Sequence, residues 1–201
     1  MKISSLDRTL LMLTGLLAGY QIAIGIDKMD NISIIAYTIA FGVILVAGLL
    51  LMILGSDVLE APIVVIISTI IPLTLSLGLV WQHLASLRTV YLIFTIISFL
   101  AVILTRSISM QNKLPVITIA MTHGIAGLTI FLLPIILAFQ GQMKPLFSLV
   151  GIGGALIGIG GLLLSFLKTG KPILSRDTIM RLFPVLLLLT TAFFVAGFKY
   201  G

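Results

Sequence analysis

The chain contains no cysteine, which excludes disulfides, thiolate metal centres and a cysteine nucleophile but leaves the compartment open. Charge is almost as scarce. Only 9% of the 201 residues are Asp, Glu, Lys or Arg, and all six acidic residues fall between or outside the long apolar runs. That placement argues against proton pumping through intramembrane carboxylates, di-acid intramembrane proteolysis and cation channels lined by acidic rings. No P-loop, HExxH or nucleophile-elbow motif occurs, so the sequence points away from an enzyme. No stretch between apolar runs is long enough to fold alone, and residues 1–201 are expected to form a single integral membrane helical domain.

What the chain has is apolarity: 60% of its residues are hydrophobic and its mean hydropathy is +1.30. A sequence of this kind dissolves in a lipid bilayer and crosses it repeatedly as helices, because only helices or closed barrels satisfy their backbone polar groups there. The fold class is therefore an all-α, polytopic transmembrane helix bundle. Seven spans are predicted, at about 9–26, 32–54, 62–85, 89–105, 114–139, 146–167 and 182–198. Lys2 and Arg8 precede the first run, and Ala23-Ile24-Gly25 loosely resembles a signal-peptide cleavage site. The run is read as a first transmembrane helix.

The net charge of +6 is read as topology rather than nucleic-acid binding. With a cytoplasmic N-terminus, the inner segments hold Lys2, Arg8, Arg106, Lys113, Lys168, Lys171, Arg176 and Arg181, and the outer ones hold Lys28, Arg88, Lys144 and Lys199. The basic excess predicts N-in and C-out. A faint repeat accompanies this topology: Thr14-Gly15-Leu16-Leu17-Ala18-Gly19 echoes Thr122-His123-Gly124-Ile125-Ala126-Gly127. Residues 47–51 likewise echo residues 160–164. These echoes suggest a parallel 3+1+3 plan with the fourth span as a lone crossover.

Three features are candidates for function. In span six, Ser148, Gly151, Gly154, Gly158, Gly161 and Ser165 step by three or four residues and share one helical face. Such a face permits close backbone approach by another membrane helix, with Gly15 and Gly19 of span one as a plausible internal partner. Gly153, about 100° away, is expected to matter less. Second, His123 lies near the middle of span five, where an ionisable group is a functional candidate; the alternative is a neutral imidazole bonded to a Thr or a backbone carbonyl. His83, beside Trp81, is expected in the wet interface, too far in depth from His123 to share a haem iron. Third, Ser68 and Ser76 flank Pro72 in span three and, with Thr118 and Thr122 of span five, could line a polar cavity; alternatively they back-bond to their own helices.

The expected function is a non-catalytic membrane protein: a subunit or scaffold packing through the glycine face. The alternatives are a small-solute transporter or channel using the span-three and span-five cavity, or a haem or pigment protein using His123. Expected partners are the lipid bilayer and other membrane helices.

Overall fold

The computed structural model describes residues 4–26, 29–108, 112–168 and 173–201, without the side chains of Asp57, Glu60, Pro62, Ser165 and Lys168. Lys2, Lys28 and Lys171 of the charge tally thus lie outside the described residues, as does the side chain of Ser165. Seven α-helices follow one another: α1 Ser5–Ile24, α2 Asn31–Leu54, α3 Pro62–His83, α4 Arg88–Ser107, α5 Leu114–Phe139, α6 Ser148–Lys168 and α7 Arg176–Tyr200. Their starts are chemically marked. Ser4 and Asp7 form a reciprocal capping box on α1, Asp30 caps α2 through the Ile32 N–H, and Ser175 caps α7 through the Thr178 N–H. These side chains satisfy backbone donors that the helix leaves unpaired.

Six of the helices, α2 to α7, are long and apolar enough to cross a membrane, and the protein is a multi-pass integral membrane protein. The predicted count was seven, and α1 falls short in composition because Asp7, Arg8, Tyr20 and Gln21 dilute its apolar run. Its geometry is nonetheless that of a crossing helix. Near its start, Asp7 and Leu11 share a hollow with Met180 and Pro184 of α7. Near its end, the Tyr20 hydroxyl accepts a 2.6 Å hydrogen bond from Lys199 Nζ. Helices α1 and α7 therefore run parallel through the same layer. The side holding Ser5 is called the N-face below, and the side holding Tyr200 the C-face.

Helices α1, α2, α3, α5, α6 and α7 pack in a closed ring in that order, and α4 packs outside it on α3 and α5. The lone fourth helix of the 3+1+3 expectation is thus the one left out of the ring. Exchanging the triplets α1–α3 and α5–α7 maps the ring onto itself, because the α3–α5 seam becomes the α7–α1 seam. Helix α4 exposes Val90, Ile93, Ile96, Ile97, Leu100 and Leu104, a stripe that water would oppose and lipid tails accept. Polar ties hold α4 in place. Tyr91 donates to Thr129 Oγ1 of α5 at 3.1 Å and faces Ser76 of α3.

The ring's interior is filled. Toward the C-face, Tyr37 and Phe41 of α2 meet Phe194 and Phe198 of α7, and Phe147 packs on Phe198 at 6.2 Å between ring centres. Toward the N-face, Leu11, Leu51 and Leu187 form a smaller cluster. Edge and tilted aromatic contacts of this kind add to plain apolar burial.

Candidate functional site

Two hollows lie on the α1–α2 side of the ring, one at each face. The N-face hollow, a small cleft of about 20 Å³ that has room for about one water, lies where α1 meets α7 and the short turn Ser56–Glu60. Its walls include Leu11, Leu51 and Phe183; its polar groups are Asp7 and Ser56. Ser56 is 8% exposed, and its buried Oγ has no partner among the described residues. Pro184 lies inside α7, not near a helix start as a span beginning at 182 implies, because Ser175 caps the helix a full two turns earlier. Having no N–H, Pro184 leaves the Met180 carbonyl without its usual helical donor, and both residues line the hollow.

The C-face hollow, a dimple of about 10 Å³, lies between α1 and α2 and is lined by Gln21, Gly25, Ile34, Tyr37, Thr38 and Phe41 among others. Gln21 is 3% exposed. Its Nε2 donates to the Gly25 carbonyl at 2.8 Å, while its Oε1 is buried without a partner among the described residues. The Tyr37 hydroxyl is likewise buried and unpaired. Between the hollows the helices are closely packed: a Cβ on Gly48 would stand 3.3 Å from the Leu11 carbonyl oxygen. Buried there are Thr14, which donates to its own helix at Leu10, and Thr190, whose Oγ1 is unpaired.

A polar clasp braces the C-face. Ser33 Oγ donates to the Gly78 carbonyl at 3.2 Å, and the Asp30 N–H donates to Gln82 Oε1 at 3.2 Å. Arg88 reaches Asp30 at 3.6 Å and donates through Nε to the Trp81 carbonyl at 2.6 Å. His83, in the last turn of α3, is half-buried. Its ring packs 5.3 Å from Phe147, and its Nε2 is buried without a partner.

The residues singled out in the sequence distribute as follows. Ser68 donates to Val65 and Ser76 to Pro72, each within α3; neither hollow lies between α3 and α5. His123 on α5 is half-buried, and its Nδ1 is 3.2 Å from the Ile119 carbonyl of its own helix. Arg106 of α4 lies within electrostatic range of His123. Thr122 is buried and Thr118 half-buried on the same helix.

The glycine face of α6 divides in two. A Cβ on Gly151 would meet the Phe131 carbonyl oxygen at 2.5 Å, and one on Gly154 would meet Ile130 at 2.6 Å, so this half receives α5. Gly158 and Gly161 meet nothing within 4 Å. Ser148, at the start of α6, donates to the Pro145 carbonyl. Gly153 is as tightly enclosed as Gly154, with Phe194 at 2.8 Å, because α6 is wedged between α5 and α7 and needs small residues on both flanks. The expectation that Gly153 matters less is corrected accordingly. A Cβ on Gly15 would stand 3.4 Å from Leu45 of α2 and one on Gly19 would meet nothing within 4 Å; α1 packs on α2 and α7, so it is not the partner of the α6 stripe.

No known protein family matches the chain, and neither does any curated protein or solved structure. The hollows therefore stand on their own geometry. Sequence reasoning missed Ser56 and Met180 because one sits in a turn and the other in a loop-flanking stretch. The available signal was Pro184, whose position four residues after Met180 marks an unbonded carbonyl.

Proposed function

We propose that the protein is a non-enzymatic carrier of a small solute, with its path along α1, α2 and α7 rather than between α3 and α5. The observation that carries this reading is the two-triplet ring. Some transporters are built of parallel repeats related by an axis along the membrane normal, with their sites at the repeat interface. Here the N-face hollow lies at the α7–α1 seam between the triplets. The third helix of each triplet also carries an interior proline, Pro72 in α3 and Pro184 in α7, and prolines of this kind are sites of kinking. Rocking of one triplet against the other would open and close the N-face hollow, which lies at the seam between them.

The test is counterflow in proteoliposomes of purified protein, using a panel of labelled amines, amino acids and sugars. Saturable exchange is expected for one class. It should be lost when α1 and α7 are tied together at the C-face by a short bis-maleimide between Tyr20→Cys and Lys199→Cys. No saturable exchange for any class would overturn the carrier reading.

A second reading, as a subunit of a larger membrane assembly, draws on the bare half of the glycine face. Gly124 and Gly127 of α5, like Gly158 and Gly161 of the adjacent α6, meet nothing within 4 Å. A trough floored by four glycines would admit the backbone of another helix. A partner that co-purifies in mild detergent and is lost in Gly158→Leu would favour this reading.

A further inference from the structure

We propose that the N-face end of α4 binds the phosphate of an anionic phospholipid through Arg106, assisted by Lys113, independently of any transport by the ring. Arg106 lies in the last turn of α4 and is half-buried. Its Nε is enclosed without a hydrogen-bond partner. Its two Nη atoms are neither enclosed nor bonded among the described residues. One edge of the guanidinium is therefore walled in by protein and the other is open. Among the described residues no carboxylate answers its charge. Asp7 and Asp177 of the N-face belong to α1 and α7, whereas α4 packs on α3 and α5. The ionisable group within electrostatic range is His123, which is neutral or positive and cannot act as counter-ion. A charge drawn partly out of water without a counter-charge is costly, and an anion from outside the chain removes that cost.

The Tyr91–Thr129 bond and the proximity of Arg106 to His123 set α4 and α5 antiparallel. Lys113, exposed and directly before α5, therefore lies on the same face as Arg106. The Leu114 N–H is taken by Asn112 Oδ1 and residue 115 is proline, so the two side chains, not the start of α5, supply the attraction. Leu100 and Leu104 of α4 and Leu114 and Met121 of α5 are exposed, an apolar surface for the acyl chains below such a headgroup. The basic excess implies a cytoplasmic N-face, and that leaflet carries the anionic lipids. A guanidinium takes phosphate oxygens through paired N–H donors. Phosphatidylcholine offers the same phosphate but brings a quaternary cation that two basic side chains repel.

The experiment is native mass spectrometry of the purified protein in mild detergent, titrated with dioleoylphosphatidylglycerol or dioleoylphosphatidylcholine. Phosphatidylglycerol should bind about tenfold more tightly, and Arg106→Gln should erase that preference. Lys113→Gln should reduce it by about threefold, and Arg181→Gln, exposed on α7, should leave it unchanged. Without added lipid, Arg106→Gln should melt with the wild type; added phosphatidylglycerol should raise the Tm of the wild type only. Arg106→Lys keeps the charge without the paired donors and should retain a preference of about threefold, which keeps the site testable if Arg106→Gln fails to fold. Equal affinity of the wild type for the two lipids, or an undiminished preference in Arg106→Gln, would overturn the proposal. So would displacement of phosphatidylglycerol by millimolar inorganic phosphate, the mark of a site for soluble phosphate.

Discussion

Lys199 and Tyr20, 179 positions apart, are joined by a 2.6 Å hydrogen bond, with the ammonium also 5.2 Å from the centre of the Tyr20 ring. This contact fastens the last helix to the first at the C-face and fixes α1 and α7 as parallel neighbours. Because the chain has no native cysteine, introduced pairs report without background. Tyr20→Cys with Lys199→Cys should be linked by a short bis-maleimide, and Tyr20→Cys with Arg181→Cys should not. The readout is a mobility shift after denaturation. Linking in the second pair would mean α1 and α7 are antiparallel.

Glycine substitutions on α6 should sort by enclosure rather than by stripe. Gly153→Leu and Gly154→Leu should each cost about 1–3 kcal/mol, the usual penalty of overpacking, because Phe194 and Ile130 stand within 3 Å of the added carbon. Gly158→Ala should be neutral or stabilising by up to about 1 kcal/mol, since it adds helix propensity in open space. Denaturant titration in detergent measures all three. A Gly158→Ala variant as unstable as Gly154→Leu would contradict the packing described.

His123→Ala should lower stability by less than about 1 kcal/mol, because the imidazole bonds only to its own helix and no other element loses a partner. Thermal unfolding checks the stability. Counterflow by the same variant should match wild type, and its loss would return the solute path to α5.

The tie between α4 and the ring should be measurable. In a double-mutant cycle, Tyr91→Phe and Thr129→Val should couple by about 0.6 kcal/mol, the typical worth of an interhelical hydrogen bond in a membrane. A coupling of zero would show that apolar packing alone retains α4.

Topology can be read with reporter fusions. Those inserted at residue 174 should read cytoplasmic and those after Gly201 external, as the basic excess implies. Reversed readings would invert the two faces without altering the ring.

Much of the fold was legible in the sequence because a bilayer imposes simple length and polarity rules. The apolar runs located all seven helices, with the largest errors at the starts of α1 and α7, where Ser4 and Ser175 cap the helix ahead of its apolar stretch, and smaller overruns at the ends of α1 and α3. Partner choice was not legible. A glycine stripe states that something comes close but not what, and α6 carries close-packed glycines toward two neighbours at once. The N-face hollow was invisible for a related reason. Asp7, Ser56 and Met180 are far apart in sequence, and each alone is an ordinary cap, turn or helix residue. Only the α1–α7 seam brings them together.

The closed ring also dictates an order of assembly. Helices that enter the membrane as the chain is synthesised can pair with their predecessors at once, but the α1–α7 seam cannot form until the final segment arrives. Phe194 and Phe198, which fill the C-face half of the interior, come with that segment. Until then Tyr37, Phe41 and Phe147 face a breach on one side, and the N-face hollow has only half its wall. The last twenty-odd residues therefore act as a keystone, and a chain stopped before them would remain an open arc of five helices with α4 outside it.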